Sequence, residues 1–314
     1  MKNGICLSIF LLLPISAIAA DAPPDWAFLP PTPGFQPPPD DGQPKHVPGS
    51  TKAYTQKQVD DIFNPPDWYP DEHPPMPELV QHGKPPIVHG CAQCHLTSGR
   101  GHPESANIAG LPAGYIEEQL AQFRDGSRTS SIASRSIMNS FAKALTDDEV
   151  KPAAAYFAAI KPAPWTKVVE ADMVPKSFIG EGSMRFVSPG NGKEPIGHRI
   201  IELPQNEEGA KARDPHAPFV AYVPTGSIKA GETLVTTGGG KTIQCTICHG
   251  ADLKGIGNVP GLAGRSAIYI FRQLYDIQHG ARKGVSVALM QPVVAKLTQD
   301  DMIALAAYMA SREP

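Results

Sequence analysis

Cysteine is scarce in this 314-residue chain, and what there is leaves little over. Of five cysteines, Cys6 lies in an apolar N-terminal stretch and the other four form two close pairs. Once that stretch is removed, no thiol remains for a disulfide, a thiolate ligand or a nucleophile. An excess of either charge is also missing: 28 basic residues face 31 acidic ones, a net charge of −3. Nucleic acid calls for a basic face, so it is not an expected partner. Beyond the N-terminus no apolar run reaches the length of a spanning helix, which predicts no membrane span in the mature chain. The N-terminus itself has Lys2, an apolar stretch at 5–15 and Ala17-Ile18-Ala19 before Asp21. We read residues 1–19 as a removed export signal, an uncleaved anchor being the alternative, and expect a periplasmic protein.

What the chain does have is two five-residue runs, Cys91-Ala92-Gln93-Cys94-His95 and Cys245-Thr246-Ile247-Cys248-His249. C-x-x-C-H is the attachment pattern of c-type haem: two thiols add to the vinyl groups of one porphyrin, and the adjacent histidine reaches the iron. Paired C-x-x-C runs also suit zinc, but a histidine directly after each second cysteine, and export, favour haem. The expected cofactors are therefore two covalently attached c-type haems, held by Cys91, Cys94, His95, Cys245, Cys248 and His249.

The runs open two copies of one unit. Tyr115 and Tyr269 follow their histidines at the same distance, and Gly110-Leu111 matches Gly261-Leu262. Tyr115-Ile116 with Gln119-Leu120 matches Tyr269-Ile270 with Gln273-Leu274; Gly126 and Arg128 match Gly280 and Arg282. Ile116, Leu120 and Phe123, and likewise Ile270, Leu274 and Ile277, recur at helical spacing, with the glycines as stop signals. Thr146 with Glu149, and Thr298 with Asp301, resemble capping boxes opening a last helix in each copy. Pro152 falls near the start of the first of these, where it costs least.

Between the glycine-ended helix and the last helix stand Met138 and Met290, at closely similar distances from His95 and His249. Methionine sulfur favours ferrous iron and suits electron transfer, so both are expected as the second axial ligands, on loops that return over the iron. Pro292 stiffens the second loop, whereas the first has Ser140. Met76, Met173, Met184, Met302 and Met309 lack this correspondence and read as core or surface residues. His82, His89 and His102 could replace Met138 but read as solvated loop residues, and His279 as a helix C-terminal charge. Arg128 and Arg282 read either as partners of a haem propionate or carbonyl, or as solvated helix ends. Tyr115 and Tyr269 read as haem neighbours or, preferably, as helix packing. Pro112 and Pro260 sit where they could orient the histidines.

The repeated pattern resembles small soluble cytochrome c domains, and the pair resembles the dihaem cytochromes c of the c-four type. That resemblance covers about half of the chain. It implies periplasmic electron transfer with redox protein donors and acceptors, some membrane-bound. The expected fold is mainly α: a proline-rich arm (20–75), a first cytochrome c-like domain (76–161), an inter-domain insertion (162–225) and a second domain (226–314). The insertion should be irregular and partly β, with strands near 184–187, 199–203 and 219–223. The 34 prolines, many in the arm, predict a mostly extended wrap or linker, which Trp26, Trp68 and Tyr69 could pin across a domain surface. The arm and insertion depart from the c-four pattern and leave the partners open. The sequence favours a carrier over an enzyme. The competing reading is a dihaem oxidoreductase, or the cytochrome subunit of a dehydrogenase, with one haem open or unusually ligated.

Overall fold

The computed structural model describes residues 22–29, 34–37, 39–132 and 136–314. The expected export signal, residues 1–19, lies outside the described residues. In the arm, α1 (Gln56–Val59) is closed by a capping box between Thr55 and Gln58. The first unit follows as α2 (Glu78–Gln81), α3 (Ala92–His95), α4 (Ala113–Asp125), α5 (Ile137–Lys143) and α6 (Asp147–Ala159). Gly126 ends α4 with φ +79°, a left-handed conformation that glycine adopts without penalty. Thr146 and Glu149 form the capping box of α6, and Pro152 lies at its sixth position, beyond the first turn.

The insertion contains β1 (Thr166–Glu170), β2 (Met173–Pro175), β3 (Ser177–Ile179), β4 (Arg185–Val187), β5 (Lys193–Pro195), β6 (Ile201–Pro204), α7 (Glu207–Lys211) and β7 (Phe219–Val223). Its largest sheet has the order β1-β7-β6. β1 runs parallel to β7 and β6 antiparallel to it. The insertion packs on both haem-motif units. Trp165, Met184, Phe186, Ala210 and Phe219 form a cluster with Leu96 of the first unit. Ile200, Ala221 and Val223 enter the core of the second. Glu202 of β6 meets the start of the helix Ala267–Gln278 of the second unit: its carboxylate accepts from Ser266 Oγ (2.9 Å) and from the Ile268 amide (3.1 Å).

The second unit comprises α8 (Ser227–Thr237), α9 (Thr246–His249), α10 (Ala267–Gln278), α11 (Gln291–Val294) and α12 (Gln299–Ala310). Here α8 crosses α12 at Gly231, where a Cβ would fall 1.9 Å from the Ala304 carbonyl oxygen. Only glycine lets the helices approach so closely. The first unit replaces α8 with the single turn α2, between prolines 74, 75 and 77 on one side and 85 and 86 on the other. Thr298 and Asp301 close α12 with the expected capping box.

The arm is a wrap rather than a free linker. Residues 22–29 pack on the second unit, with Trp26 against Phe271 at 4.5 Å and Ala27 and Phe28 in its core. Farther along, Trp68 is buried, and its Nε1 donates to the Ala212 carbonyl of the insertion at 2.8 Å. Among the described residues no helix is long and apolar enough to cross a membrane.

Candidate haem sites

At the first site the turn of α3 places Cys91, Cys94 and His95 on one wall of a cavity of about 300 Å³. Leu111, Ile116, Leu120, Phe123 and Phe141 supply an apolar lining, and Met138, from the start of α5, lines the same cavity. Met138 therefore stands on a helix and not on the loop the spacing suggested, because Asn139 ties this segment down. Its Nδ2 donates to the carbonyls of Phe123 (2.6 Å) and Arg128 (2.8 Å). The structure thus brings together the cysteines, the histidine and the methionine proposed as axial ligand.

His95 is oriented by a hydrogen bond from Nδ1 to the Ala106 carbonyl, 2.8 Å. A carbonyl only accepts, so Nδ1 carries the proton and Nε2 keeps its lone pair. Burial lowers the His95 pKa, which keeps the ring neutral and ready to ligate. His249 is held in the same way by the Pro260 carbonyl at 2.8 Å, and burial lowers its pKa too. Pro260 does orient its histidine; Pro112 instead caps α4. At the second site Cys245 and Met290 pack against one shared core, Met290 ending the helical turn Val285–Met290 that leads into α11. Burial pushes the Cys91 thiol up to about 12 and Cys245 to about 11, so both stay protonated near neutral pH.

The two sites meet across a pseudo-symmetric interface. Arg128 Nη1 donates to Gln119 Oε1 of its own unit at 2.8 Å, and Nη2 to Tyr269 Oη (3.1 Å) and Gln273 Oε1 (3.0 Å) of the other. Arg282 returns the pattern: Nη1 to Gln273 Oε1 (3.1 Å), Nη2 to Tyr115 Oη and Gln119 Oε1 (both 2.9 Å). The backbone joins in, with the Thr129 amide donating to the Ala281 carbonyl (2.7 Å) and Lys283 to Ser127 (2.8 Å). Each arginine is 7% exposed, so neither is a solvated helix end. Tyr115 and Tyr269 serve as acceptors for the opposite unit's arginine, a role the sequence did not reveal.

Further cross-unit contacts surround the first site. Arg272 donates to the Ala27 carbonyl (3.1 Å), to Glu104 Oε1 (3.2 Å) and to the Pro103 carbonyl. Arg265 Nη1 holds the Asn107 carbonyl and side chain, both at 2.8 Å, one residue from the carbonyl that orients His95. The recurrence of Gln119 and Gln273 was a usable signal; Arg265 and Arg272 carried none.

The other histidines are accounted for locally. His82 Nδ1 meets the Phe63 carbonyl and Asn64 Oδ1, and His102 is buried with its ring against Ser105 Oγ at 3.2 Å. His102 is therefore no solvated loop residue. His89 lines the first cavity but packs on Phe141 at 4.8 Å. His279 Nδ1 lies 2.9 Å from the Tyr275 carbonyl at the end of α10. Met302 and Met309 are core residues, as is Met184, and Met173 is exposed. A second cavity, about 530 Å³, lies between the arm, residues 97–100 and the start of the insertion. Neither haem motif nor either proposed axial methionine lines it.

Two helical units, each with a C-x-x-C-H turn and an oriented histidine, the first opening on an apolar chamber, define a haem-attaching electron-transfer protein. The chain belongs to the cytochrome c family, whose profile matches residues 80–161 and 228–313. It is 27% identical over 234 residues to a thiosulfate dehydrogenase electron acceptor of Thiomonas intermedia, covering 73% of this chain and 81% of that one. It is 24% identical over 223 residues to cytochrome c4 of Pseudomonas aeruginosa, covering 70% and 82%. Among solved structures, thiosulfate dehydrogenase of Marichromatium purpuratum matches with a TM-score of 0.51 and 26% identity, over 74% of this chain and 39% of that structure. The chain is thus a dihaem cytochrome of the c4 type, with two covalently attached c-type haems and a role in electron transfer.

The residues present fit that cofactor. The first chamber is lined mainly by apolar side chains, among which stand the thiols of Cys91 and Cys94 and the neutral ring of His95. Arg128 borders it, and the acceptors of Arg128 and Arg282 named above are all neutral. Arg282 Nε is buried without a hydrogen-bond partner. The buried Asp276 carboxylate acts on both arginines, and the free Arg282 Nε could take a further anionic acceptor such as a haem propionate.

Proposed function

We propose that this protein is a periplasmic relay for single electrons, with each haem ligated by one histidine and one methionine. The observation that carries the reading is the first chamber, which Cys91, Cys94, His95 and Met138 line together. The haem, when bound, supplies reversible one-electron exchange at its iron. Cys91, Cys94, Cys245 and Cys248 would fix the two groups covalently, and His95 and His249 would ligate through Nε2. Met138 and Met290 would hold the opposite positions, close them to small ligands and favour the ferrous state. Arg128 and Arg282 would neutralise propionates and lock the two units at fixed separation, so that little rearrangement accompanies internal transfer. The relative from Thiomonas supports, as electron donor, an enzyme that oxidises thiosulfate.

The test uses the dihaem protein matured in a bacterial periplasm. Purified thiosulfate dehydrogenase with thiosulfate should reduce both haems, and the reduced protein should bind no carbon monoxide. Met138→Ala and Met290→Ala should each open one haem to carbon monoxide. Carbon monoxide binding by the unaltered protein would refute the closed carrier.

A further inference from the structure

The two units are nearly symmetric where they meet but not at their attachment turns. At the second turn Ile247 is 62% exposed. At the first, the corresponding pair Ala92 and Gln93 is 2% and 3% exposed, because the arm and the insertion close over it. The Gly90 amide donates to the Ile62 carbonyl of the arm at 2.9 Å.

The centre of this cover is Arg213, carried by the insertion just after α7. Its Nη1 donates to the Gln93 carbonyl inside the C-x-x-C-H run (2.8 Å), and Nε to the Val59 carbonyl of the arm (3.2 Å). The side chain is 16% exposed. Its carboxylate neighbour, Asp60, stands 3.7 Å from Nη2 and is 55% exposed, so water screens much of its charge. Among the described residues the second turn has no cover of this kind: Ile247 and Cys248 are exposed.

We infer that Arg213 is a positioning charge that holds the first haem at a higher reduction potential than the second. The inference rests on the attachment proposed above at Cys91 and Cys94. Oxidising an iron adds one positive charge to the site. A fixed guanidinium and the exclusion of water both disfavour that added charge, and therefore favour the ferrous form. Arg128 and Arg282 act on both sites alike, by the near-symmetry of their contacts, and do not separate them. An electron arriving on the second haem then passes downhill to the first. The second iron is oxidised and the first reduced by one electron, with no bond made or broken and no proton moved.

The test is a spectroelectrochemical titration of the full dihaem protein and of Arg213→Gln, Arg213→Lys and Asp60→Asn. The unaltered protein should give two separate one-electron midpoints. Arg213→Gln should lower the higher one by about tenfold in its ferric-to-ferrous balance, 59 mV for one electron, and leave the other in place. Arg213→Lys keeps the charge and should retain most of the potential, whereas Asp60→Asn should raise it. A purely structural role would be disturbed by lysine as much as by glutamine. Equal shifts for those two variants, movement of the lower midpoint instead, or no shift would overturn the inference. Should Arg213→Gln fail to carry two haems, Asp60→Asn decides, since Asp60 is half exposed: a raised upper midpoint supports the inference and an unmoved one overturns it. The methionine charge-transfer bands, recorded in the same titration, report separately on the ligation reading.

Discussion

The reciprocal arginines make a prediction whose sign is unusual. In Arg128→Met the donors to Gln119, Tyr269 and Gln273 disappear, but Arg282 still donates to both amide oxygens. A hydrogen bond to a charged group contributes about 1.5–3 kcal/mol, but with both acceptors still satisfied the single variant should lose only about 1–3 kcal/mol. Arg282→Met should behave alike. With both gone, the two shared amide oxygens lose their last donors together, and each orphaned group costs about 1–3 kcal/mol. The double variant should therefore be destabilised by more than the sum of the singles, with a coupling energy of about 1–2 kcal/mol. The assay is urea unfolding of the dihaem protein, followed by tryptophan fluorescence and far-ultraviolet circular dichroism. Trp26 reports on the second unit and Trp68 and Trp165 on the first side. Additivity within about 0.5 kcal/mol would refute the shared-acceptor argument.

Other outcomes follow from single residues. His102 is pushed down to about 3, mainly by burial and then by the Arg213, His95 and Arg272 charges. Its folded pKa is lowered, so the unfolded chain takes the proton first as pH falls below about 6.5. Stability should drop with acidity from there towards about pH 3, by up to about 1.4 kcal/mol per pH unit from this group. A pH series of unfolding curves should show a shallower acid loss in His102→Gln; an unchanged slope would contradict the assignment. Gly231→Ala drives a Cβ into backbone at the α8–α12 crossing and should cost about 1–3 kcal/mol or more. It should be read as a lower melting temperature of the second unit, and an unaltered temperature would count against the close crossing. Trp68→Phe leaves the Ala212 carbonyl without its buried donor, at about 1–3 kcal/mol, and should speed proteolysis of the arm. Cleavage at the unaltered rate would mean that Trp68 does not pin it.

Much of this architecture was readable because its causes are local. Thr146 with Glu149, Thr298 with Asp301 and the stop at Gly126 are signals within one turn, and all recur in the structure. The repeat paired Met138 with Met290, and the first was then found lining a chamber with His95. What escaped was non-local. β1 is a weakly alternating segment beside prolines, and it is a strand because it lies parallel to β7 more than fifty residues away. The strands at 184–187, 199–203 and 219–223 were anticipated within a residue or two, since their apolar runs are bounded by turn residues. For Arg128 and Arg282 the sequence left a haem or carbonyl partner and a solvated helix end both open, because two of each one's three partners lie on the other unit. Nothing in the order of residues announces that Arg213 reaches back to Gln93. The arm was expected to be an extended wrap or linker, with Trp26, Trp68 and Tyr69 as candidate pins, and which surface each would meet depended on the folded chain.

The central claim, two closed His/Met haems in one carrier, is tested most directly by the methionine-to-ferric-iron charge-transfer band. It should be recorded through a full redox titration of the protein matured in a periplasm. The account predicts two one-electron steps, a band intensity equal to two methionine-ligated irons, and loss of half that intensity in either Met138→Ala or Met290→Ala. A band worth one iron, with the other haem at low potential or open to carbon monoxide, would contradict it.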